Sequence, residues 1–440
     1  MSQAGASLPS IRTAVPGERA RAYLDLLEET ECPAFTARRA RRAGQSGASH
    51  DPIVWQEAVG SNVIDADGNV FVDLTSGFGA ALLGHRDPAV AGAIRAQSEK
   101  LIHALGDVHP SVPKLELLKR LKTIAPMPDA RVLLCLSGSD AVEAALKTAA
   151  LYTKKHGILA FEGAYHGLAH GPLAACGYAR DFRQPFEAQL NPESHFIPFP
   201  LDEGAAPQAL DHARAILRER PIGAILIEPI LGRGGIHIPP PGFLKALKAL
   251  GREHGALFIV DEIFTGIGRT GALFRIEAEG LIPDLLCLGK GLGGGMPVSA
   301  CIGGHEVMSA WGDPVGEAIH TGTFFGHPLG AASALAVLDA VRDRDLARRA
   351  HELGERFKIE AEARIQKSVR GAGLFLAIEL GEDGKALELM PKLLERGYLV
   401  LPAGRSASAI SLTPALTIDE RLLGAFIETL GELLESERVS

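Results

Sequence analysis

Several features that would place a chain in a specialised class of protein are scarce or absent from this sequence. Positive charge is not in excess, because 45 Lys and Arg residues stand against 53 Asp and Glu residues and give a formal net charge of -8. The four arginines between positions 38 and 42 alternate with alanine, as on a solvent-exposed helix face. We therefore expect no nucleic-acid partner.

Long apolar runs are missing as well. No stretch approaches the roughly 20 residues that a membrane-spanning helix needs, so we expect no membrane partner. The N-terminal region mixes Pro16, Glu18, Arg19 and Asp25. That composition is unlike a signal peptide or an acid-poor transit peptide.

Cysteine is scarce and follows no known pattern. The five cysteines are widely spaced and contain no CxxC pair: Cys32, Cys135, Cys176, Cys287 and Cys301. This spacing fits neither a zinc site nor a disulfide framework. We therefore expect free thiols, no metal site and a location in the reducing cytoplasm.

What the sequence does contain is enough apolar material for a large interior, since 46% of its 440 residues are hydrophobic. A chain of this length predicts two domains rather than one. From Asp87 onward, short runs of Val, Ile and Leu alternate with helical periods. That alternation predicts an α/β fold with a mostly parallel central sheet.

The predicted domains follow changes in this pattern. Residues 1–75, which carry a hairpin signal at Asp67-Gly68, are expected to contribute to a small domain. Residues 76–328 form the large domain with the parallel sheet. After His327-Pro328 the pattern changes, and residues 329–440 predict a smaller α+β domain.

One βαβ unit locates a candidate site. A strand ends before Glu228-Pro229, a helix is predicted from about Gly242 to His254, and the next strand ends at Asp261. Adjacent parallel strands end on the same side, so Glu228 and Asp261 should emerge at one sheet edge. Ligands of open α/β sheets bind at that edge.

A glycine- and serine-rich segment opens the helix that follows the strand Val132–Leu136. Gly138 and Ser139 offer free backbone N–H groups at the positive end of the helix dipole, which suits a phosphate. An ordinary helix N-cap explains the same residue types, and for this segment alone it is the preferred explanation.

An aromatic side chain lies among glycines after the strand Gly157–Phe161. Tyr165, between Gly163 and Gly167, can lie flat over a planar ring, although packing on the sheet is the alternative. We expect its neighbour His166 to be a hydrogen-bonded structural histidine.

Asp261 ends an apolar strand directly, which makes it a partly buried acid. Such an acid is costly to bury unless it meets a cation, and a protonated pyridine nitrogen is a suitable one. Ile263 points to the same side and can support a ring from below. A structural ion pair, for example with Arg269, is the rival interpretation.

Lys290 lies between glycines after the apolar run Leu285–Leu288. A lysine desolvated in this way has a lowered pKa, which makes a Schiff base feasible. The surrounding glycines formally match GxGxxG, but Pro297 interrupts the helix that a dinucleotide site requires. A P-loop is excluded because Gly291 stands where Ser or Thr is needed.

These four segments occur in the order known from one family. Together with Asp65-Ala66-Asp67-Gly68, Glu228-Pro229-Ile230 and Gly268-Arg269-Thr270-Gly271, they closely resemble the class III aminotransferases among the fold-type-I pyridoxal-phosphate enzymes. The similarity runs from about Asp51 to Leu433. It implies the aspartate-aminotransferase fold, pyridoxal phosphate as cofactor, and a homodimer.

The resemblance also implies residue roles. Lys290 holds the cofactor through a Schiff base and moves the Cα proton, while Asp261 pairs with the pyridine nitrogen. Tyr165 and Ile263 cover the two ring faces, and Tyr165 is counted with the catalytic residues. The remaining cofactor contacts are Gly138, Ser139, Glu228 and, from the neighbouring subunit, Thr323.

Three departures from the family pattern bear on the substrate. Ser411 falls where many members carry an Arg that binds the substrate carboxylate, and Arg405 is a possible substitute. Arg233 stands where members using ω-amino acids often carry Glu; we expect it either to bind a carboxylate or to pair with a surface Asp or Glu. Phe264 replaces a Gln that bonds the cofactor's ring oxygen. With Arg233 and Ser411, Trp55 completes the predicted substrate contacts.

We therefore predict a pyridoxal-phosphate-dependent aminotransferase that moves an amino group from an amine or amino-acid donor to a keto acid. The resemblance suggests pyruvate or 2-oxoglutarate as acceptor. An amino-acid racemase or epimerase of the same family stays open, because some of those members also lack the carboxylate-binding Arg. A cofactor-binding protein without turnover is disfavoured because Lys290, Asp261 and Tyr165 are all present.

Overall fold

The chain, described here by a computed structural model covering residues 5–312 and 317–439, divides into two units. One unit comprises the residues up to Asp87 together with those from Arg349 onward. The other comprises Pro88–Arg348. The predicted domain boundaries, after residues 75 and 328, lie earlier in the chain than the boundaries of these units.

The strands, numbered in chain order, are β1 Trp55–Val59, β2 Asn62–Asp65, β3 Val70–Asp73, β4 Ala130–Cys135, β5 Gly157–Phe161, β6 Ser194–Ile197, β7 Ile222–Ile227, β8 Leu257–Asp261, β9 Leu285–Leu288, β10 Ser299–Gly304, β11 Val369–Ala372, β12 Phe375–Glu379, β13 Tyr398–Leu399, β14 Leu401–Ala403 and β15 Ala409–Leu412. The helices are α1 Glu18–Thr30, α2 Pro33–Ser46, α3 Ser76–Gly79, α4 Pro88–Ser98, α5 Val112–Ile124, α6 Gly138–Thr153, α7 His170–Ala174, α8 Arg180–Arg183, α9 Ala205–Glu219, α10 Phe243–Glu253, α11 His305–Met308, α12 Pro328–Asp343, α13 Leu346–Ile365, α14 Lys385–Glu395 and α15 Glu420–Val439.

The unit Pro88–Arg348 is built on a seven-stranded sheet of order β4-β10-β9-β8-β7-β5-β6. All neighbours from β9 to β6 are parallel, and only β10 runs antiparallel to its two neighbours. Strands β7, β8 and β9 are buried along their whole length. Continuous apolar strands of this kind are typical of a parallel sheet covered on both faces, as the sequence predicted.

The predicted βαβ unit is confirmed. Helix α10 follows Gly242 and ends at Glu253, and Gly255 takes a left-handed φ of +66° before β8 begins. Strands β7 and β8 pair in parallel with Ile227 opposite Val260. Glu228 and Asp261 therefore leave the sheet at the same edge.

Helix α12 was predicted to open the C-terminal domain, but it packs against α4 and α5 within Pro88–Arg348. Its buried face consists of small and branched residues, among them Ala331, Ala334 and Val337. Gly294 lies so close that a Cβ there would be 2.6 Å from Val337 Cγ2. This close packing explains why the helix belongs to the large unit.

The other unit contains two four-stranded sheets, of order β1-β2-β3-β13 and β11-β12-β15-β14. The hairpin predicted at Asp67-Gly68 is present, with the Gly68 N–H bonded to the Asp65 carbonyl. The run Leu399–Leu401, predicted as one strand, is split between β13 and β14 in different sheets. In the described part of the chain, none of the helices combines the length and apolarity needed to cross a membrane.

Candidate active site

The ends of four parallel strands bring ionisable side chains to one edge of the seven-stranded sheet. We call His166, Glu228, Asp261 and Lys290 the strand-end cluster; they follow or end β5, β7, β8 and β9 respectively. Because these strands are neighbours or near neighbours in the sheet, residues more than a hundred positions apart in sequence come together here.

Asp261 is the fixed centre of this cluster. It is 4% exposed, and its Oδ1 accepts a hydrogen bond of 3.0 Å from the Ile263 N–H. Its Oδ2 lies 2.7 Å from His166 Nδ1. Since an ionised carboxylate only accepts, the proton of this bond belongs to His166. A structural pairing of Asp261 was the rival interpretation, and the structure shows such a pairing with His166.

His166 was predicted to be structural, and the structure places it within the cluster. Its side chain is fully buried, and its Nε2 has no hydrogen-bond partner in the described residues. A buried nitrogen left in this way fits a site that a polar ligand completes. Its position next to Tyr165 at a strand end was the only sequence signal for this role.

Glu228 is a second buried carboxylate in the cluster. It is 6% exposed and accepts hydrogen bonds from the backbone N–H groups of Tyr165, at 3.0 Å, and Gly232, at 3.2 Å. Burial raises the pKa of Glu228 to about 7, with nearby His166 opposing the shift and Asp261 adding to it. Glu228 therefore ties together the loops that carry Tyr165 and Arg233.

Lys290 follows β9 with only Gly289 between them. Burial lowers its pKa, and the charges of Asp261 and Glu228 oppose that shift. Its φ of +34° lies in the left-handed region, which is strained for a residue with a side chain. Its Nζ lies 4.2 Å from the centroid of the Phe264 ring. Phe264, one of the departures from the family pattern, thus forms an apolar wall beside the lysine.

The start of α6 offers hydrogen-bond donors. Ser137 and Asp140 form a capping box, in which the Ser137 hydroxyl accepts from the Asp140 N–H and the Asp140 carboxylate accepts from the Ser137 N–H. Ser137 is therefore an ordinary N-cap, as the preferred explanation of this segment predicted. The N–H groups of Gly138 and Ser139 lie in the first turn, where a helix supplies no acceptor of its own.

Ile263 lies close to two glycines of the site. A Cβ added to Gly138 would be 2.9 Å from Ile263 Cδ1, and one added to Gly289 would be 3.2 Å from Ile263 Cγ2. The Ser139 hydroxyl accepts a 3.2 Å hydrogen bond from the Ala169 N–H. The predicted contacts Gly138, Ser139 and Ile263 are thus brought together, next to Lys290.

Arg233 lies among aromatic rings. Its guanidinium carbon is 4.6 Å from the ring centroid of Tyr165, 4.5 Å from that of Tyr178 and 5.5 Å from that of Phe182. Within the described residues it forms no ion pair with Asp or Glu, so the expectation of a surface salt bridge is wrong. Tyr178 and Phe182 were not singled out in the sequence.

The remaining predicted site residues are Thr323, Trp55 and Ser411. Thr323 is exposed in the turn before α12. Trp55 and Ser411 belong to the other unit: Trp55 begins β1, is 44% exposed and packs edge-on against His85, while Ser411 lies in β15 opposite Ala377. Among the residues that the structure describes, no group of three or more His, Cys, Asp or Glu side chains is placed to hold a metal ion.

Known proteins resemble this chain over most of its length. The family model of class III aminotransferases matches residues 44–434. The acetylornithine aminotransferase of Methanopyrus kandleri is 38% identical over 397 residues, which cover 89% of this chain and 96% of the relative.

Solved structures share the fold. An amine transaminase from an uncultivated Pseudomonas species, in a pyridoxal-phosphate-bound form, superposes with a TM-score of 0.77 at 29% identity, covering 86% of this chain and 94% of its own. The acetylornithine aminotransferase of Elizabethkingia anophelis superposes with a TM-score of 0.75 at 29% sequence identity, covering 94% of this chain and 98% of its own. An (S)-enantioselective omega-transaminase from Thermomicrobium roseum superposes with a TM-score of 0.84 at 28% sequence identity, covering 97% of this chain and 99% of its own. As its motifs predicted, the chain belongs to the class III aminotransferases, pyridoxal-phosphate enzymes of the fold-type-I architecture.

Proposed function

We propose that this chain transfers amino groups from an amine or amino-acid donor to a keto acid at the strand-end cluster, with Lys290 holding the cofactor. The observation that carries this assignment is a desolvated lysine beside two buried carboxylates at the edge of the sheet. When bound, pyridoxal phosphate stabilises the negative charge left on the substrate carbon after a proton is removed, which allows the amino group to be exchanged.

Lys290 suits both binding and proton transfer. An amine reacts with a carbonyl group only in its neutral form, and burial favours that form by lowering the pKa of Lys290. The same Nζ, when free, can accept the proton from the substrate α-carbon. Phe264 keeps water from one side of this nitrogen.

Asp261 suits the pyridine nitrogen of the cofactor. Two hydrogen bonds, from the Ile263 N–H and from His166, fix the orientation of its carboxylate. A buried and oriented negative charge keeps a facing ring nitrogen protonated, which maintains the ring as an electron acceptor. His166 acts through Asp261 and is therefore a positioning residue.

The remaining contacts suit the phosphate and the ring. The N–H groups of Gly138 and Ser139 face outward at the start of α6, where the helix dipole favours an anion. Ile263 lies against Gly138 and Gly289, so it can support one face of a flat ring. Tyr165, anchored by Glu228, can cover the other face.

An exposed apolar surface of the large unit supports the proposal of a homodimer. Its side chains protrude from α5 and the segment before it: Leu101, Ile102, Leu105, Val108, Val112 and Leu115. Single surface leucines are ordinary, but a series of this kind indicates a contact surface. We assign it to a second copy of this chain, which would also supply Thr323.

Four buried free cysteines support a location in the reducing cytoplasm.

Reduction with borohydride, followed by peptide mass spectrometry, tests the assignment of Lys290. The expected result is cofactor mass on the peptide that contains Lys290, and no such mass in the Lys290→Arg variant. Labelling of another lysine, or of none in a protein that binds the cofactor, would overturn the assignment.

A further inference from the structure

The aromatic cage around Arg233 carries an inference about the substrate, and this inference rests on the proposed function. We propose that Arg233 binds a carboxylate group of the substrate, so that the enzyme prefers amino acids and keto acids to amines that lack a carboxylate. The cage consists of Tyr165, Tyr178 and Phe182.

The cage orients the guanidinium group. The rings of Tyr165 and Tyr178 are nearly perpendicular, with an interplanar angle of 88° and centroids 6.2 Å apart. Both lie within 4.6 Å of the Arg233 guanidinium carbon. Contacts with aromatic faces at these distances attract a cation. An arginine held in this way loses less side-chain entropy when it binds a ligand.

The guanidinium has donors to spare. It carries five N–H groups; the Tyr165 hydroxyl accepts a hydrogen bond from Arg233, and the aromatic ring faces leave the remaining donors available to a carboxylate. Arg233 is exposed, and no Asp or Glu of the described chain forms an ion pair with it. Since planar guanidinium groups bind carboxylates through two parallel hydrogen bonds, a substrate carboxylate fits both the charge and the geometry.

Glu228 places the cage next to the reacting atoms. Its two carboxylate oxygens accept from Tyr165 N–H and Gly232 N–H, the latter being adjacent to Arg233 in sequence. The positive charge of Arg233 lowers the pKa of Lys290, as burial does. Arg233 contacts the ring of Tyr165, and Tyr165 directly precedes His166 of the strand-end cluster, so a carboxylate held by Arg233 lies beside that cluster.

The competing possibility is that Arg233 only supports the aromatic rings. In that case its removal would disturb Tyr165 and the cofactor, but it would not discriminate between ligands with and without a carboxylate. The two possibilities are separated by a binding measurement that involves no turnover.

The experiment is calorimetric titration of the holoenzyme with glutarate, pentanoate and 1-pentanol. None of the three has an amino or a keto group, and only 1-pentanol lacks a carboxylate. We expect Arg233→Gln to weaken binding of the two acids by roughly 10- to 100-fold, the range for a lost charge-assisted bond pair, and to leave binding of 1-pentanol unchanged. Arg233→Lys keeps the charge and should lose less. The control is Arg180→Gln, which removes an exposed arginine at the start of α8 and should leave binding unchanged.

Kinetic constants supply a second readout. We expect Arg233→Gln to raise the KM for 4-aminobutyrate but not for butylamine, its analogue without a carboxylate. Equal binding of the two acids by the wild-type and Arg233→Gln holoenzymes would overturn the proposal, as would a wild-type enzyme that binds neither acid. If only this inference fails, borohydride still labels Lys290 and an amino donor still yields a keto product; if the proposed function fails, the label or the keto product is missing.

Discussion

Replacing Glu228 by glutamine removes a buried negative charge and keeps the shape of the side chain. The carboxylate is 6% exposed, and burial raises its pKa from the ordinary 4.5 to about 7. One pKa unit corresponds to about 1.4 kcal/mol, so the full difference amounts to about 3 kcal/mol. The folded, cofactor-free protein bears this cost when Glu228 is ionised.

The direction in which the free energy of unfolding changes with pH follows from proton uptake. Between pH 4.5 and about 7 the folded protein keeps a proton on Glu228 that the unfolded chain has released. The free energy of unfolding contributed by this group is therefore largest below that interval and is lost as the pH rises through it. Glu262, another buried carboxylate, also has its pKa raised to about 7 by burial, so the wild-type profile alone does not isolate Glu228.

The measurement is urea unfolding of the cofactor-free wild-type and Glu228→Gln proteins from about pH 5 to about pH 8. The variant loses one backbone hydrogen bond at every pH, because the glutamine amide cannot accept from both N–H donors. Relative to the wild type it should nevertheless gain up to about 3 kcal/mol as the pH rises. A difference in the free energy of unfolding between the two proteins that stays constant with pH would refute the reasoning. Glu219→Gln, which changes an exposed residue at the end of α9, should show that constant difference.

Three further predictions concern the cofactor and the assembly. Asp261→Asn should lower kcat by about 10²–10³-fold, because the amide has no negative charge to keep the ring nitrogen protonated. Borohydride should still label Lys290 in this variant. A rate close to that of the wild type would contradict the role of Asp261. Gly138→Ala places a Cβ 2.9 Å from two atoms of Ile263 and should weaken cofactor affinity about tenfold, measured by equilibrium dialysis. Gly92→Ala is the control, because a Cβ added there has no atom within 4 Å, and it should leave the affinity unchanged. Leu105→Asp, at a side chain 61% exposed, should shift the sedimentation coefficient from dimer to monomer; an unchanged coefficient would show that a second copy does not cover this surface.

The main elements and the centre of the site followed from the sequence for a physical reason. Apolar runs such as Leu285–Leu288 are buried on both faces of the sheet, so their ends are well defined. A charged residue shortly after such a run, as Lys290 is after Gly289, must lie at the sheet edge. Asp261 was identified by the same argument, and the structure places both residues in one cluster.

Contacts between distant side chains were not predictable in this way. His166 and Asp261 are 95 positions apart, and no local pattern pairs them. The cage around Arg233 depends on Tyr178 and Phe182, which lie on a separate segment from both Arg233 and the strand ends. Local periodicity also fails for Leu399–Leu401, because a change of sheet within three residues leaves no period to detect.

The most direct test of the account is a single half-reaction in deuterated buffer, with a panel of amines and amino acids and no keto acid. We predict that the visible absorption of the lysine-bound cofactor disappears and that one equivalent of keto product forms, detected by mass spectrometry. A persistent absorption band, with deuterium at the substrate α-carbon and both enantiomers present, would identify a racemase and contradict the assignment of amino transfer.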